Sequence, residues 1–175
     1  MQVKAGASKR CVCLIFNSDR GSYMHRLYET DDISVFWNSD KCRHARKCVT
    51  GCPEVFDFKR KPWIDLSQDE TQRIWQTIKQ CPSGALDIIY NHEVMVKLDK
   101  DNNRSTAVDK EGQIIGECDY QENADTITIY HTEVKPEYGG NEIAKRLVYK
   151  VFEEADRECK KIVPTCSYAA KLLSN

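Results

Sequence analysis

The sequence predicts an α+β chain of two small units: a strand–loop–helix–strand unit, then an antiparallel meander with a long helix and a final short strand. Three observations predict it. Short β-rich runs bounded by turn residues recur from Ile33 to Trp37, Leu86 to Tyr90, Arg104 to Val108, Gln113 to Tyr120 and Asp125 to Thr132. Strong helical periodicity is confined to Asp65 to Gln80 and Asn141 to Lys160. Charge is uneven: residues 1–90 carry 14 Lys+Arg against 11 Asp+Glu, and residues 91–175 carry 12 against 16. A positive half followed by a negative half suggests two modules. The expected organisation is an N-terminal extension over 1–27, a first unit over 28–90 and a second over 91–175.

Residues 1–27 are basic and poorly patterned, with a short strand or extension expected at Cys11 to Phe16. Ile33 to Trp37 reads as a strand closed by the turn residues Asn38, Ser39 and Asp40. A cysteine-rich loop follows, then a second extended stretch at Val55 to Phe58 and Pro62 to Ile64. Ser67 with Glu70 three residues on predicts a capping box for the Asp65 to Gln80 helix, with Ile74, Trp75 and Ile78 on its inner face. Cys81-Pro82 ends that helix, and a turn leads into the strand at Leu86. In the second unit, His92 to Leu98 alternates weakly before three consecutive strands, which predict the meander. Ile143, Leu147, Val151 and Ala155 recur every four residues of the long helix. Ile162 to Cys166 is a last strand and Ser167 to Leu173 a terminal helical turn or two.

Composition excludes several function classes. Formal net charge is −1, and neither half is charged enough to expect nucleic acid or an anionic membrane as partner. No run approaches the ~18 apolar residues of a membrane span. Nine cysteines is an odd number, and no secretory signal is expected from the sequence. A reducing, cytoplasmic compartment follows as the expectation, with some thiols on metal and the rest free.

The run from Cys42 to Pro53 carries the chemistry. Laid on the bacterial ferredoxin pattern C-x2-C-x2-C-x3-C-P, it matches at Cys42, Cys48, Cys52 and Pro53, while Ala45 stands at the second cysteine. Cys81-Pro82 supplies the distant thiolate that such a site needs. By that geometry Cys42, Cys48 and Cys81 are ligands and Cys52 points away. Three outcomes stay open: a 3Fe-4S cluster; a 4Fe-4S cluster with a labile corner capped by water, His44 or an external ligand; or a rearranged loop with Cys52 as fourth ligand. A four-thiolate zinc site is the competing reading, but the gaps of five and three residues are poor zinc-knuckle spacings. The nearby Arg43, Arg46, Lys47, Lys59, Arg60 and Lys61 either offset cluster charge, dock an acidic redox protein partner, or form an ordinary solvated face.

The strings "CRHARKCVTGCPEVFD", "RKPWI" and "CPSGAL", within Tyr28 to Ile88, resemble the divergent mono-cluster iron–sulfur domains. The resemblance implies a 4Fe-4S cluster and a small ferredoxin-like fold.

From His131 to Ala144 the sequence reads as strand, glycine turn and helix start, an arrangement that presents backbone N–H groups and a helix dipole to a pyrophosphate. With "KIVPTCSYAAKLL" it resembles the minimal GNAT-type acetyltransferases over about residues 93–173. That resemblance implies a minimal GNAT-like α/β domain, acetyl-CoA as cofactor, and a small-molecule or peptide amine as acceptor. Gly140, Asn141, Ile143 and Ala144 would line the pyrophosphate, and Cys166 would sit near the thioester as acyl acceptor or pocket wall. The chain departs from the family's Arg-Gly-x-Gly-Ile/Leu-Ala turn at Gly139 and Glu142. His131 and Glu133 share one strand face, either as a general base or as a salt-bridged surface, and Tyr168 is a candidate proton donor to the leaving thiolate. Two readings follow: an acetyl-CoA-dependent N-acetyltransferase with a redox or sensing cluster, or a small electron carrier or redox sensor with a degenerate, non-catalytic binding module.

Overall fold

A computed structural model describes residues 25–174; the strand expected at Cys11 to Phe16 lies outside them. Two antiparallel-rich sheets flank one long helix. The first sheet holds β1 (His25–Glu29), β2 (Ile33–Asn38) and β3 (Leu86–Tyr90) in that order, all antiparallel. Between β2 and β3 run α1 (Lys47–Gly51), a 3₁₀ turn (Leu66–Gln68) and α2 (Thr71–Ile78). The second sheet holds β4 (Met95–Asp99), β5 (Arg104–Val108), β6 (Ile114–Glu122), β7 (Thr126–Val134) and β8 (Lys161–Pro164) in sequential order. β4 to β7 form the meander, and β8 joins β7 in parallel after the crossover helix α3 (Ile143–Arg157). The chain closes on α4 (Ser167–Ser174).

Two expectations need correction. β1 begins at His25, inside the stretch expected to be unpatterned, and pairs His25 through Glu29 with β2. The helix expected from Asp65 is split. The Asp65 carboxylate accepts the backbone N–H of Ser67 at 3.1 Å and nucleates the 3₁₀ turn, so Ser67 is not an N-cap. Asp69 is extended (φ −154°), and α2 starts only at Thr71. The local carboxylate bond competes successfully with a continuous helix. The extended stretches around Phe56 and Ile64 meet as a single antiparallel bridge.

β2 explains how the halves join. Ile33 through Phe36 are all buried, so both faces of the strand are covered. One face (Ile33, Val35) packs with Val55, Phe56, Ile64, Ile74, Ile78 and Ile88 in a first core. Phe36 on the other face, with Leu27 of β1, joins Ile143, Leu147, Val148, Val151 and Phe152 of α3 in a second core. That second core continues into Ile115, Ile127 and Ile129 of the larger sheet. Each such aliphatic or aromatic side chain contributes about 1.5–3 kcal/mol relative to exposure.

Polar contacts fix the junction. Arg146 is only 3% exposed. Its guanidinium meets Glu29 at 3.1 Å and donates to the Val94 carbonyl at 2.8 Å. Lys150 also reaches Glu29, at 2.5 Å. Lys145 pairs with Asp87 of β3 at 2.5 Å and lies 4.2 Å above the Phe36 ring.

Candidate functional site

The cysteine loop is held open by local backbone bonds. Cys42 N–H donates to the Ser39 carbonyl (3.1 Å), tying the loop to the end of β2. His44 (φ 54°) and Arg46 (φ 59°) adopt left-handed backbone, which turns the chain sharply before α1. The Arg46 carbonyl accepts both the N–H and the hydroxyl of Thr50, the latter at 2.7 Å. Cys48 sits in the first turn of α1. Cys81 follows α2 directly, its N–H on the Ile78 carbonyl at 2.9 Å.

Cys42, Cys48 and Cys81 line one cavity of about 60 Å³, with Trp37, Phe58 and Trp63 among its walls. Ala45 lies at the same cavity and offers no donor atom. Burial pushes the Cys48 thiol up, and the neighbouring Cys42 and Cys81 add to that. Burial also raises Cys81, but the Leu86 N–H, the Ser83 hydroxyl and further N–H groups outweigh it and hold the thiol below its ordinary value. Soft donors from a tight loop and a distant Cys-Pro, walled by aromatics, fit an iron–sulfur cluster.

Cys52 is not brought to that cavity. It is fully buried, and its thiol donates to Asp69 at 3.0 Å. Burial first, then Asp69, pushes it up to about 12. Asp69 is itself paired with Arg73 at 2.7 Å. Cys52 is therefore a protonated packing residue in the first core.

The second candidate site forms where β7 and β8 part. Their parallel register runs from Thr126↔Lys161 to Ile129↔Pro164, while β7 continues to Val134. The Ile129 carbonyl accepts Thr165 N–H (2.9 Å), Cys166 N–H (3.0 Å) and the Thr165 hydroxyl (3.1 Å), closing the paired segment. On its other edge β7 carries a bulge: Asp119 opposes His131 and Tyr120 opposes Ile129, leaving Tyr130 without a register partner. β7 then leads through a 3₁₀ turn (Pro136–Tyr138) to the N-terminus of α3.

At that terminus Gly140 is left-handed (φ 82°), open to Gly without strain. Asn141 donates to the Tyr138 carbonyl at 3.4 Å. Glu142 occupies the N-cap position at φ 56°, makes no side-chain cap, and lies 3.7 Å from Lys145. Ile143 faces the core, so it offers a ligand only its backbone, and Ala144 is half-buried.

Cys166 is half-buried at the start of α4, its carbonyl accepting Ala170 N–H. Burial raises its thiol, but the Ala169 N–H, the Thr132 hydroxyl and the Tyr168 N–H more than offset this, so it lies below the ordinary value. Thr132 is the cross-strand partner of Cys118, whose thiol is pushed up to about 12 chiefly by burial. Tyr168 is pushed up to about 12 by burial and then by the charge of Glu142. His131 and Glu133 are exposed and paired at 3.4 Å, on the face of β7 opposite Thr132 and Cys166. That face continues into Arg104, which meets Glu117 at 2.8 Å and Asp119 at 2.9 Å. Sequence reasoning missed Cys118 and Tyr130, whose places depend on cross-strand register.

Residues 28–91 match the family model described as "Divergent 4Fe-4S mono-cluster", and residues 104–175 match "GCN5-related N-acetyl-transferase". The uncharacterized protein YjdI of Escherichia coli K12 is 38% identical over 69 residues, 39% of this chain and 88% of YjdI. A GCN5-like protein from Staphylococcus aureus is 31% identical, with 47% of this chain and 79% of that chain covered and a TM-score of 0.37. The GNAT family N-acetyltransferase YhbS of Escherichia coli, in complex with CoA, is 24% identical, with 35% of this chain and 38% of YhbS covered and a TM-score of 0.33. The chain thus spans well under half the length of YhbS. With an iron–sulfur-type unit first and an acetyltransferase-type unit after it, this chain belongs to the divergent mono-cluster 4Fe-4S family and carries a GCN5-related N-acetyltransferase domain.

Proposed function

We propose that this protein binds one iron–sulfur cluster through Cys42, Cys48 and Cys81 for a redox or sensing role, beside an acetyl-CoA-dependent N-acetyltransferase unit. The units divide near residue 91, with β1 belonging to the first. The observation that carries the reading is the convergence of three thiols from two separate segments on one cavity. A cluster there would supply one-electron chemistry. Trp37, Phe58 and Trp63 would exclude water from it, and the cationic loop residues would offset its charge. A 4Fe-4S form with its fourth corner at Ala45 is the favoured state, and a 3Fe-4S form follows if that corner is lost.

In the second unit, the backbone N–H groups from Gly140 to Ala144 and the α3 dipole would hold a pyrophosphate. Cys166 would meet the acyl group as acceptor or wall, with Tyr168 as proton donor, and an amine on a small molecule or peptide would be the acceptor. His131 and Glu133 would receive a proton from an amine approaching the outer face of β7. No helix of the described residues is long and apolar enough to cross a membrane, and the seven cysteines among them are free thiols. Both suit a reducing cytoplasm.

Anaerobic purification with iron, sulfide and zinc analysis and low-temperature EPR tests the cluster. Iron and sulfide near four per chain, with a signal only after dithionite, is the expected result. A signal in the oxidised protein that disappears on reduction identifies the three-iron form. Zinc without sulfide overturns the reading.

The second reading, a binding module without catalysis, is favoured by Glu142, whose exposed carboxylate stands at the helix terminus that a pyrophosphate would occupy. Glu142→Gly is expected to tighten CoA binding by about tenfold or more in calorimetric titration, since it removes one like charge at close range. Unchanged affinity sinks the pyrophosphate assignment.

A further inference from the structure

The cluster cavity opens on an unusual rim. Phe58 is 57% exposed, the highest value among the large exposed hydrophobic side chains of the described residues. It is also a wall of the cavity, stacked on Trp63 at 5.1 Å and 15°. Trp63 in turn packs edge-on against Trp37 at 5.0 Å. An apolar surface therefore runs unbroken from solvent to the thiols.

The turn that displays Phe58 is rigidly held. Asp57 N–H donates to the Trp63 carbonyl (2.8 Å), and the Asp57 carboxylate accepts Lys59 N–H at 2.9 Å. Arg60 is committed inward: its guanidinium donates to the carbonyls of Glu54 (2.9 Å), Val55 (2.7 Å) and Pro62 (3.3 Å). Lys59 and Lys61 on either side are exposed. Across the cavity mouth, Arg43, Arg46 and Lys47 are exposed as well and line the cavity itself. Among the described residues none of these five cations forms a salt bridge. Arg43, Arg46 and Lys47 are placed to offset cluster charge. Lys59 and Lys61 do not line the cavity, so that role leaves their charge unused.

We infer that this rim is the docking surface for an acidic electron-transfer protein, with Phe58 as the apolar contact and Lys59 and Lys61 as steering charges. The inference rests on the cluster reading above. Electron-transfer encounters bury little surface and dissociate fast, which one exposed aromatic ringed by cations suits. Positive charge around the mouth speeds the encounter with an anionic face and rejects a cationic one. A polynucleotide would need cations along a phosphate track. Here three line one cavity and two lie in the turn that carries Phe58, in a chain of net charge −1.

The test uses cluster-loaded, dithionite-reduced full-length protein and stopped-flow transfer of one electron to oxidised plastocyanin, an acidic acceptor, or to ferricytochrome c, a basic one. The reduced cluster loses one electron, and the copper or haem iron gains it. Transfer to plastocyanin is expected to slow about tenfold between low and physiological salt, whereas cytochrome c shows no such slowing. Lys59→Glu with Lys61→Glu should cut the low-salt rate to plastocyanin about tenfold, with iron content and absorbance unchanged. Phe58→Ala should lower the rate without altering its salt dependence. Loaded protein whose plastocyanin rate ignores both salt and the double charge reversal overturns the docking surface and leaves the cluster intact. A salt-sensitive shift of duplex DNA, lost in the double variant, overturns it in favour of a nucleic-acid face. Failure to load any cluster overturns the underlying reading itself, and iron analysis separates that case from the others.

Discussion

At Cys166 two influences compete for one thiol. Burial disfavours the thiolate, while two backbone N–H groups at the start of α4 and the Thr132 hydroxyl favour it and win. Cys118 lies far deeper, and burial pushes its thiol up to about 12. Alkylation should therefore separate them. With iodoacetamide and peptide mass mapping, Cys166 is expected to retain reactivity as pH falls below the ordinary thiol range, because a lowered pKa keeps thiolate present there. Cys118 is expected to stay unmodified throughout in the folded protein. Thr132→Val should move the Cys166 midpoint up, and an unmoved midpoint removes Thr132 from the site. The convergence of Cys42, Cys48 and Cys81 was legible because spacing alone implies a converging loop. Cys52 also fits the spacing, yet its burial against Asp69 depends on the 3₁₀ turn, which the sequence pattern disguises as a capped helix. Cys118 carries no local signal at all, since only strand register sets it opposite Thr132.

Helix α3 reads plainly in sequence as one amphipathic segment, but periodicity cannot say what lies on each flank. In the fold its apolar stripe covers the five-stranded sheet, and its Lys145, Arg146 and Lys150 edge meets the first sheet at Asp87 and Glu29. Arg146 is the test of that edge. Truncation to Ala leaves the Val94 carbonyl without its donor and Glu29 with Lys150 and the Ser34 hydroxyl. The expected loss is about 3 kcal/mol, at the low end for breaking a buried pair because Lys150 still meets Glu29. Urea unfolding measures it. A loss under about 0.5 kcal/mol, the usual effect of a surface substitution, would mean the α3–β1 contact is not formed in solution. β1 itself was missed because His25–Glu29 carries a single aliphatic side chain, Leu27. Its strand state comes from pairing with β2, a tertiary effect that overrides weak local preference.

The order of the two units was legible from charge asymmetry and motif positions, but their shared core was not. Leu27 and Phe36 of the first sheet lie in one cluster with Leu147, Val148 and Phe152 of α3, more than 100 residues later in the chain. Such a core should make the halves unfold as one cooperative body rather than as beads on a linker. The tryptophans offer a clean readout, because all three (Trp37, Trp63 and Trp75) belong to the first unit. Leu147→Ala lies wholly in the second, at a fully buried position. It should remove about 2–5 kcal/mol by leaving a cavity under the larger sheet. If the two units share one transition, tryptophan fluorescence must register that loss as a lower urea midpoint, coincident with far-ultraviolet circular dichroism. A tryptophan midpoint that stays put while the dichroism shifts would show two independent folding units, and the α3 contacts with Glu29, Asp87 and Phe36 would then contribute little to holding them together.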